Sequence, residues 1–225
     1  MAGKRAVTKQ SLPEMIANDL RERILSGDMS EGEPIRQEAL AEEYDVSRMP
    51  IREALKHLNA EGLIQWANNR GGSVTKHSIA EIGEIFDLRI LIETDLFRRA
   101  IPQMSLADFE KCDEILTQME ASYDEDDVAR WGTLNHQYHG ALYAAAGRSL
   151  STEILERINL QSDRYVRLHL SVMEQREPAK EEHRRLLKLA RERKNTAACD
   201  LLAAHIERTK NELLELIEAK RAIET

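Results

Sequence analysis

The sequence predicts a mainly α protein in two parts: three short helices and a β-hairpin, then an all-helical bundle of about six helices. Three observations predict it. Aromatic residues make up only 4% of the chain while Leu, Ala, Glu and Arg are plentiful, a composition suited to helices packed on helices. Apolar residues recur at helical spacing almost throughout, interrupted by β-like pieces only near residues 63–75. Capping boxes, Gly and Pro fall between the stripes, where helices should start and stop.

The elements follow in order. Ser11-Leu12-Pro13-Glu14 is a capping-box pattern, the apolar stripe Ile16, Leu20, Ile24 and Leu25 follows, and Gly27 ends the first helix. "MSEGEPI" reads as a turn, and a short helix from Gln37 to Tyr44 turns Leu40 and Ala41 inward. Ser47 is the natural N-cap of a third helix running to about Ala60, with Pro50 tolerated in its first turn. Leu63–Trp66 and Ser73–Thr75 are β-like pieces around the turn Asn68-Asn69-Arg70-Gly71-Gly72. Three helices and then a hairpin is the order of a winged helix-turn-helix, which assigns residues 1–77 to a DNA-binding domain.

A second capping box, Ser78-Ile79-Ala80-Glu81, opens residues 78–225. Helical segments read as roughly 79–100, 105–122, 127–146, 149–172, 178–193 and 195–221, punctuated by Pro102, the acidic run at 124–127, Gly147, Pro178 and Lys194-Asn195. No apolar run approaches the roughly 20 residues that span a membrane, so no membrane partner and a cytoplasmic location are expected. Cys112 and Cys199 fit neither a disulfide framework nor a CxxC pair and read as reduced, partly buried residues. Net charge is −8, yet residues 1–77 carry 11 Lys/Arg against 12 Asp/Glu, and residues 78–225 carry 21 against 28. The acidity lies mainly in the bundle, which leaves room for a local basic face on the first domain.

In a helix-turn-helix the start of the second helix meets base edges. Ser47, Arg48 and Met49 occupy that start, and Arg52 shares a face with Arg48 one turn on. Arginine pairs bidentately with guanine O6 and N7 or bridges phosphates, while Ile51, Ala54, Leu55 and Leu58 form the opposite, buried stripe.

The stretch "LAEEYDVSRMPIREALKHLNAEGLI" closely resembles the N-terminal domain of the GntR family of bacterial transcription regulators, and "GEIFDLRILIE" with its all-helical remainder resembles the FCD effector-binding domain of the FadR-like branch, in its shorter VanR-like version. The resemblance implies that Arg48 and Arg52 contact DNA. It also implies that Gly71 and Gly72 lie at the tip of the wing, with Arg70 able to enter the minor groove. Glu38 departs from the pattern, standing where many relatives carry a basic residue, with Arg36 a weak substitute. A homodimer on a pseudo-palindromic double-stranded operator is the implied working form, most often as a repressor.

Helical phase sorts the seven histidines. Asn135 and His139 lie one turn apart on the flank of the stripe Trp131, Leu134, Tyr138 and Leu142, whereas His136 points away. If the last two helices form an antiparallel hairpin turning near Lys194, His183 lies 11 residues before the turn and His205 lies 11 after. Equal offsets set them level, each about 16 Å from the turn at 1.5 Å per residue. Asn135, His139, His183 and His205 are therefore a candidate four-ligand metal set, against the alternative of satisfied core histidines. The FCD resemblance implies the same set, with Asn135 where an Asp is common. Zinc is expected first, with nickel or manganese as alternatives. His169 reads as core or cavity wall, and His57 and His77 suggest no site.

A metal with open positions attracts a small carboxylate or sugar acid as effector. Arg89, in "FDLR", resembles the arginine that relatives use near the effector, and Arg164 is a further candidate. Arg167 reads as a surface salt-bridging residue. Two other readings stand beside the regulator: a metalloenzyme using the histidines to activate water, and a bundle that serves only as a dimerisation scaffold. The metalloenzyme lacks an HExxH motif, an HD pair and a phosphate-cradling Gly loop, so no enzymatic activity is expected.

Overall fold

The computed structural model describes residues 10–67, 71–125, 127–172 and 177–223, and the chain divides into two compact units after Lys76. In the first unit α1 (Leu12–Ser26) is started by the reciprocal Ser11–Glu14 box and stopped by Gly27, whose left-handed φ of 92° a side chain would oppose. α2 (Gln37–Glu43) and α3 (Arg48–Ala60) follow, and Ile16, Leu20, Ile24, Ile51, Leu55 and Leu58 pack into one core. Arg21 braces α1 against the end of α3 through a two-pronged pair with Glu61, at 2.8 and 2.5 Å.

The sheet corrects the sequence reading. Pro34–Ile35, read as turn, form a strand (β1) that pairs with Ser73 and Gly72 of β3 (Gly71–Val74), while β2 (Ile64–Ala67) pairs on the other side of β3. Two residues are too few to carry an alternating pattern. Pro34 has no N–H to give and is tolerated because β1 is an edge strand. Ile35 turns into the core.

The second unit contains, among the described residues, α4 (Ile79–Ala100), α5 (Leu106–Asp124), α6 (Val128–Tyr143), α7 (Ser149–Val172), α8 (Glu177–Arg191) and α9 (Asn195–Ile223). Residues 144–146, read with α6, instead form a separate 3-10 turn closed by Gly147 at φ 62°. Reciprocal boxes start α4 at Ser78–Glu81 and α5 at Ser105–Asp108. Phe86, Phe97, Tyr138, Leu142, Leu186 and Leu202 are fully buried at the centre of the core. Both cysteines are free; Cys112 is buried, and burial pushes its thiol up to about 12. No described helix is long and apolar enough to cross a membrane. α8 and α9 pack as an antiparallel pair, and α4, α6 and α7 complete the walls around one polar interior.

Candidate functional site

The tip of α3 begins with Ser47 in extended backbone, φ −69° and ψ 165°, yet the Ser47 hydroxyl makes no capping hydrogen bond. The sequence explains the difference from the expected cap. An N-cap oxygen accepts from the N–H two or three residues into the helix, and the third residue here is Pro50, which has none. The proline thus frees the serine hydroxyl at the exposed start of the helix. Beside it Met49 is 60% exposed. The Arg52 guanidinium donates to Met49 Sδ at 3.4 Å, and Arg48 Nη1 reaches Glu38 Oε1 on α2 at 2.9 Å. Glu38 therefore does more than omit a basic contact: it engages the arginine at the helix tip. Arg36 is exposed at the N-cap of α2 and makes no side-chain cap.

Gly71 and Gly72 lie in β3 rather than at the tip of a turn, paired with Ala67 and Trp66. Gly72 has a packing reason to be glycine, since a Cβ there would stand 3.1 Å from the Trp66 ring. Asn68, Asn69 and Arg70 lie outside the described residues.

In the bundle, α6, α8 and α9 bring His139, His183 and His205 together. One ring nitrogen from each lies within 4.8 Å of the other two, and all three residues are buried. The His183 and His205 rings are 4.8 Å apart between centroids, so the level placement inferred from the hairpin holds. Burial pushes the pKa of His139 well below the usual histidine range, and the charges of His183, His205, Arg89 and His136 push the same way. Burial does the same to His183, helped by His205 and Arg208; the Ala179 carbonyl one turn back pulls the other way without reaching normal hydrogen-bond geometry. Both rings are therefore neutral, the form that offers a lone pair to a metal.

Hydrogen-bond logic orients two of the rings. His205 Nδ1 is 2.6 Å from Glu182 Oε2, and a carboxylate facing the Arg208 guanidinium can only accept. His205 thus carries its proton on Nδ1 and turns Nε2 to the cluster. His139 Nδ1 lies 3.0 Å from the Tyr143 hydroxyl. Both nitrogens of His183 and Oδ1 of Asn135 are buried and lack a hydrogen-bond partner. Unsatisfied buried groups cost about 1–3 kcal/mol each, so unpartnered nitrogens within the histidine trio call for a group from outside. Imidazole nitrogens and an amide oxygen suit a divalent transition metal.

Asn135, His139 and His205 line a small cavity whose walls also include Arg89, Arg208, His169, Trp131 and Val166. Arg89, only 8% exposed, donates through Nε to Glu93 at 2.8 Å and lies over the Phe86 ring. Arg208 gives both terminal nitrogens to Glu182 at 2.6 and 2.7 Å. His169 Nε2 is 3.0 Å from Glu212; burial lowers its pKa, with Glu212 pulling the other way.

Of the sequence-derived effector residues, Arg89 lines this cavity and Arg164 does not. Val166 and His169 on α7 line it, and Arg164 lies about 200° around the helix from Val166. Arg167, read as a surface residue, pairs with Asp163 at 3.1 Å but is buried, its stem lying against Gly132. Sequence reasoning missed Arg208, Glu93, Tyr143 and Glu182. Arg208 had a signal, standing one turn beyond His205 on the same side of its helix.

Comparison with known proteins adds independent information. Residues 12–74 match the description "Bacterial regulatory proteins, gntR family", and residues 84–208 match "FCD domain". The gluconate operon transcriptional repressor of Bacillus subtilis (strain 168) is 28% identical over 166 residues, covering 74% of this chain and 68% of its own. The uncharacterized HTH-type transcriptional regulator BphR of Paraburkholderia xenovorans (strain LB400) is 30% identical over 208 residues, covering 88% of this chain and 83% of its own. A crystal structure of a GntR family member from Pseudomonas syringae pv. tomato str. DC3000 aligns over 92% of this chain and 88% of its own at TM-score 0.56 and 28% identity. E. coli McbR/YncC shares the fold, with TM-score 0.80 over 93% of this chain and 100% of its own at 19% identity.

Proposed function

Because the chain belongs to the GntR family of bacterial regulatory proteins and carries an FCD domain, we propose that it is a repressor whose grip on a pseudo-palindromic operator is altered by a small carboxylate or sugar acid bound beside a divalent metal. The observation that carries the ligand half is the trio of buried histidines, with unpartnered nitrogens on His183, beside a cavity lined by Asn135, His139, His205, Arg89 and Arg208. Asn135, His139, His183 and His205 would hold the metal, which when bound supplies a Lewis-acidic anchor for a carboxylate oxygen. Arg89 orients the acid through its guanidinium, and the buried walls exclude water. With Asn rather than Asp in the set, zinc, nickel and manganese all remain candidates.

The family is one of transcription regulators, not enzymes. Two carboxylates that contact the histidines are engaged: Glu93 by Arg89 and Tyr143, Glu182 by His205 and Arg208. Neither is free to take a proton from water. In this reading two copies work on DNA in the cytoplasm, setting their α3 helices into major grooves of half-sites about 34 Å apart.

On DNA, Arg48 and Arg52 read bases, Ser47 and Met49 flank them, Arg36 meets phosphate, and the wing with Arg70, Gly71 and Gly72 approaches the minor groove. Arg48→Ala and Arg52→Ala should each weaken binding by about 1–3 kcal/mol on DNA selected from a random pool by the wild type, measured by fluorescence anisotropy. Glu38→Ala, which releases Arg48, should bind at least as tightly as wild type. Wild-type affinity in both arginine variants would refute this orientation of α3.

A further inference from the structure

Glu93 is fully buried on α4 and accepts from two directions, from Arg89 Nε at 2.8 Å and from the Tyr143 hydroxyl at 2.5 Å. A carboxylate beside a guanidinium has only acceptors to offer. Tyr143 must therefore spend its single proton on Glu93, and its oxygen can only accept at the remaining contact, His139 Nδ1 at 3.0 Å. The direction of the whole chain follows: Arg89 donates to Glu93, Tyr143 donates to Glu93, and His139 donates from Nδ1 to Tyr143. His139 is left with its lone pair on Nε2. We infer that Glu93 is a positioning residue that fixes the tautomer of His139, through Tyr143 and by facing Nδ1 directly with Oε2 at 3.6 Å, and, through its other oxygen, holds Arg89 at the cavity wall. One buried carboxylate thus ties a metal ligand to the arginine assigned to the effector.

The role rests on the metal reading only for its purpose, since the tautomer exists without metal. Glu93→Gln keeps the shape but adds a donor. With the amide oxygen toward Arg89, the amide nitrogen donates to Tyr143, the hydroxyl turns to His139, and the imidazole proton moves to Nε2, where it blocks coordination. Tyr143→Phe instead deletes the link while keeping the ring.

The test is a long-range 15N–1H spectrum of histidine-labelled, metal-free protein above pH 7.5, with His139 assigned by its loss in His139→Gln. Cobalt(II) affinity is measured alongside by competition with a chelator. Wild type should show the Nδ1–H form at His139. Glu93→Gln should show Nε2–H, and both variants should bind cobalt(II) about 10- to 100-fold more weakly, the usual effect of removing a partner of a metal ligand. An unchanged tautomer in Glu93→Gln overturns the role of Glu93, and cobalt affinity within twofold of wild type in a folded Tyr143→Phe overturns the relay through Tyr143. A wild type that takes up no cobalt(II) overturns the metal centre instead and leaves the tautomer to decide the rest.

Discussion

His183→Leu should melt higher than wild type without metal and lower than wild type with it. The metal-free protein buries two imidazole nitrogens of His183 with no hydrogen-bond partner in a residue of 0% exposure. An apolar side chain of similar volume removes that desolvation, worth about 1–3 kcal/mol. Wild type regains more on loading, since a ligand at 100 times its dissociation constant adds about 2.7 kcal/mol and the variant lacks a donor to hold it. In a unit of this size each kcal/mol moves the midpoint by about 2–4 °C, so the crossing of the two curves is easily seen. The measurement is a thermal melt of both proteins with chelator and with zinc, nickel or manganese. A histidine that merely fills the core would behave otherwise: His183→Leu would shift the midpoint equally under both conditions.

Acid should unfold the metal-free protein early and steeply. His139 and His183 have folded-state pKa values well below 6.5, while the unfolded chain protonates them near 6.5. Above pH 6.5 neither state binds the proton, so stability does not change on their account. As pH falls below 6.5 the unfolded state takes up protons that the native state refuses, and stability is lost. The slope approaches about 1.4 kcal/mol per pH unit for each histidine, nearly twice that for both. His169 shifts in the same direction and adds to the loss. Denaturant melts between pH 8 and pH 5 check this, and His183→Leu should remove about half of the combined slope of the two buried histidines. A flat profile from pH 7 to pH 5.5 would mean that these imidazoles are already charged or hydrated in the folded protein.

What could be read from the sequence was whatever depends on position along one helix. The capping boxes at Ser11 and Ser78 and the stripes through α1 and α3 are local features. So are the inward faces of His139, His183 and His205, because phase within a helix is fixed at 100° per residue. Pairing across elements was not legible. Glu93 and Tyr143 lie 50 residues apart, and nothing in either helix announces that the carboxylate of one meets the hydroxyl of the other. Glu38 could be seen to break a pattern, but its reach to Arg48 depends on how α2 and α3 cross. Gly71 and Gly72 were read as turn glycines from their chemistry, whereas the glycine at 72 answers to the Trp66 ring on the neighbouring strand. Arg164 was chosen for its charge alone, and helical phase relative to Val166 would have argued against it.

The central claim is that occupation of the helical cavity changes the grip on DNA, and one measurement addresses it directly. Metal-loaded protein is titrated onto its selected DNA in the presence of a panel of small carboxylates and sugar acids, and the series is repeated after chelation. One acid class should change the affinity by roughly 5- to 150-fold, the range of ordinary allosteric coupling. The change should disappear both on chelation and in Arg89→Ala. DNA affinity unmoved by every acid, or moved equally with the metal removed, would contradict that claim.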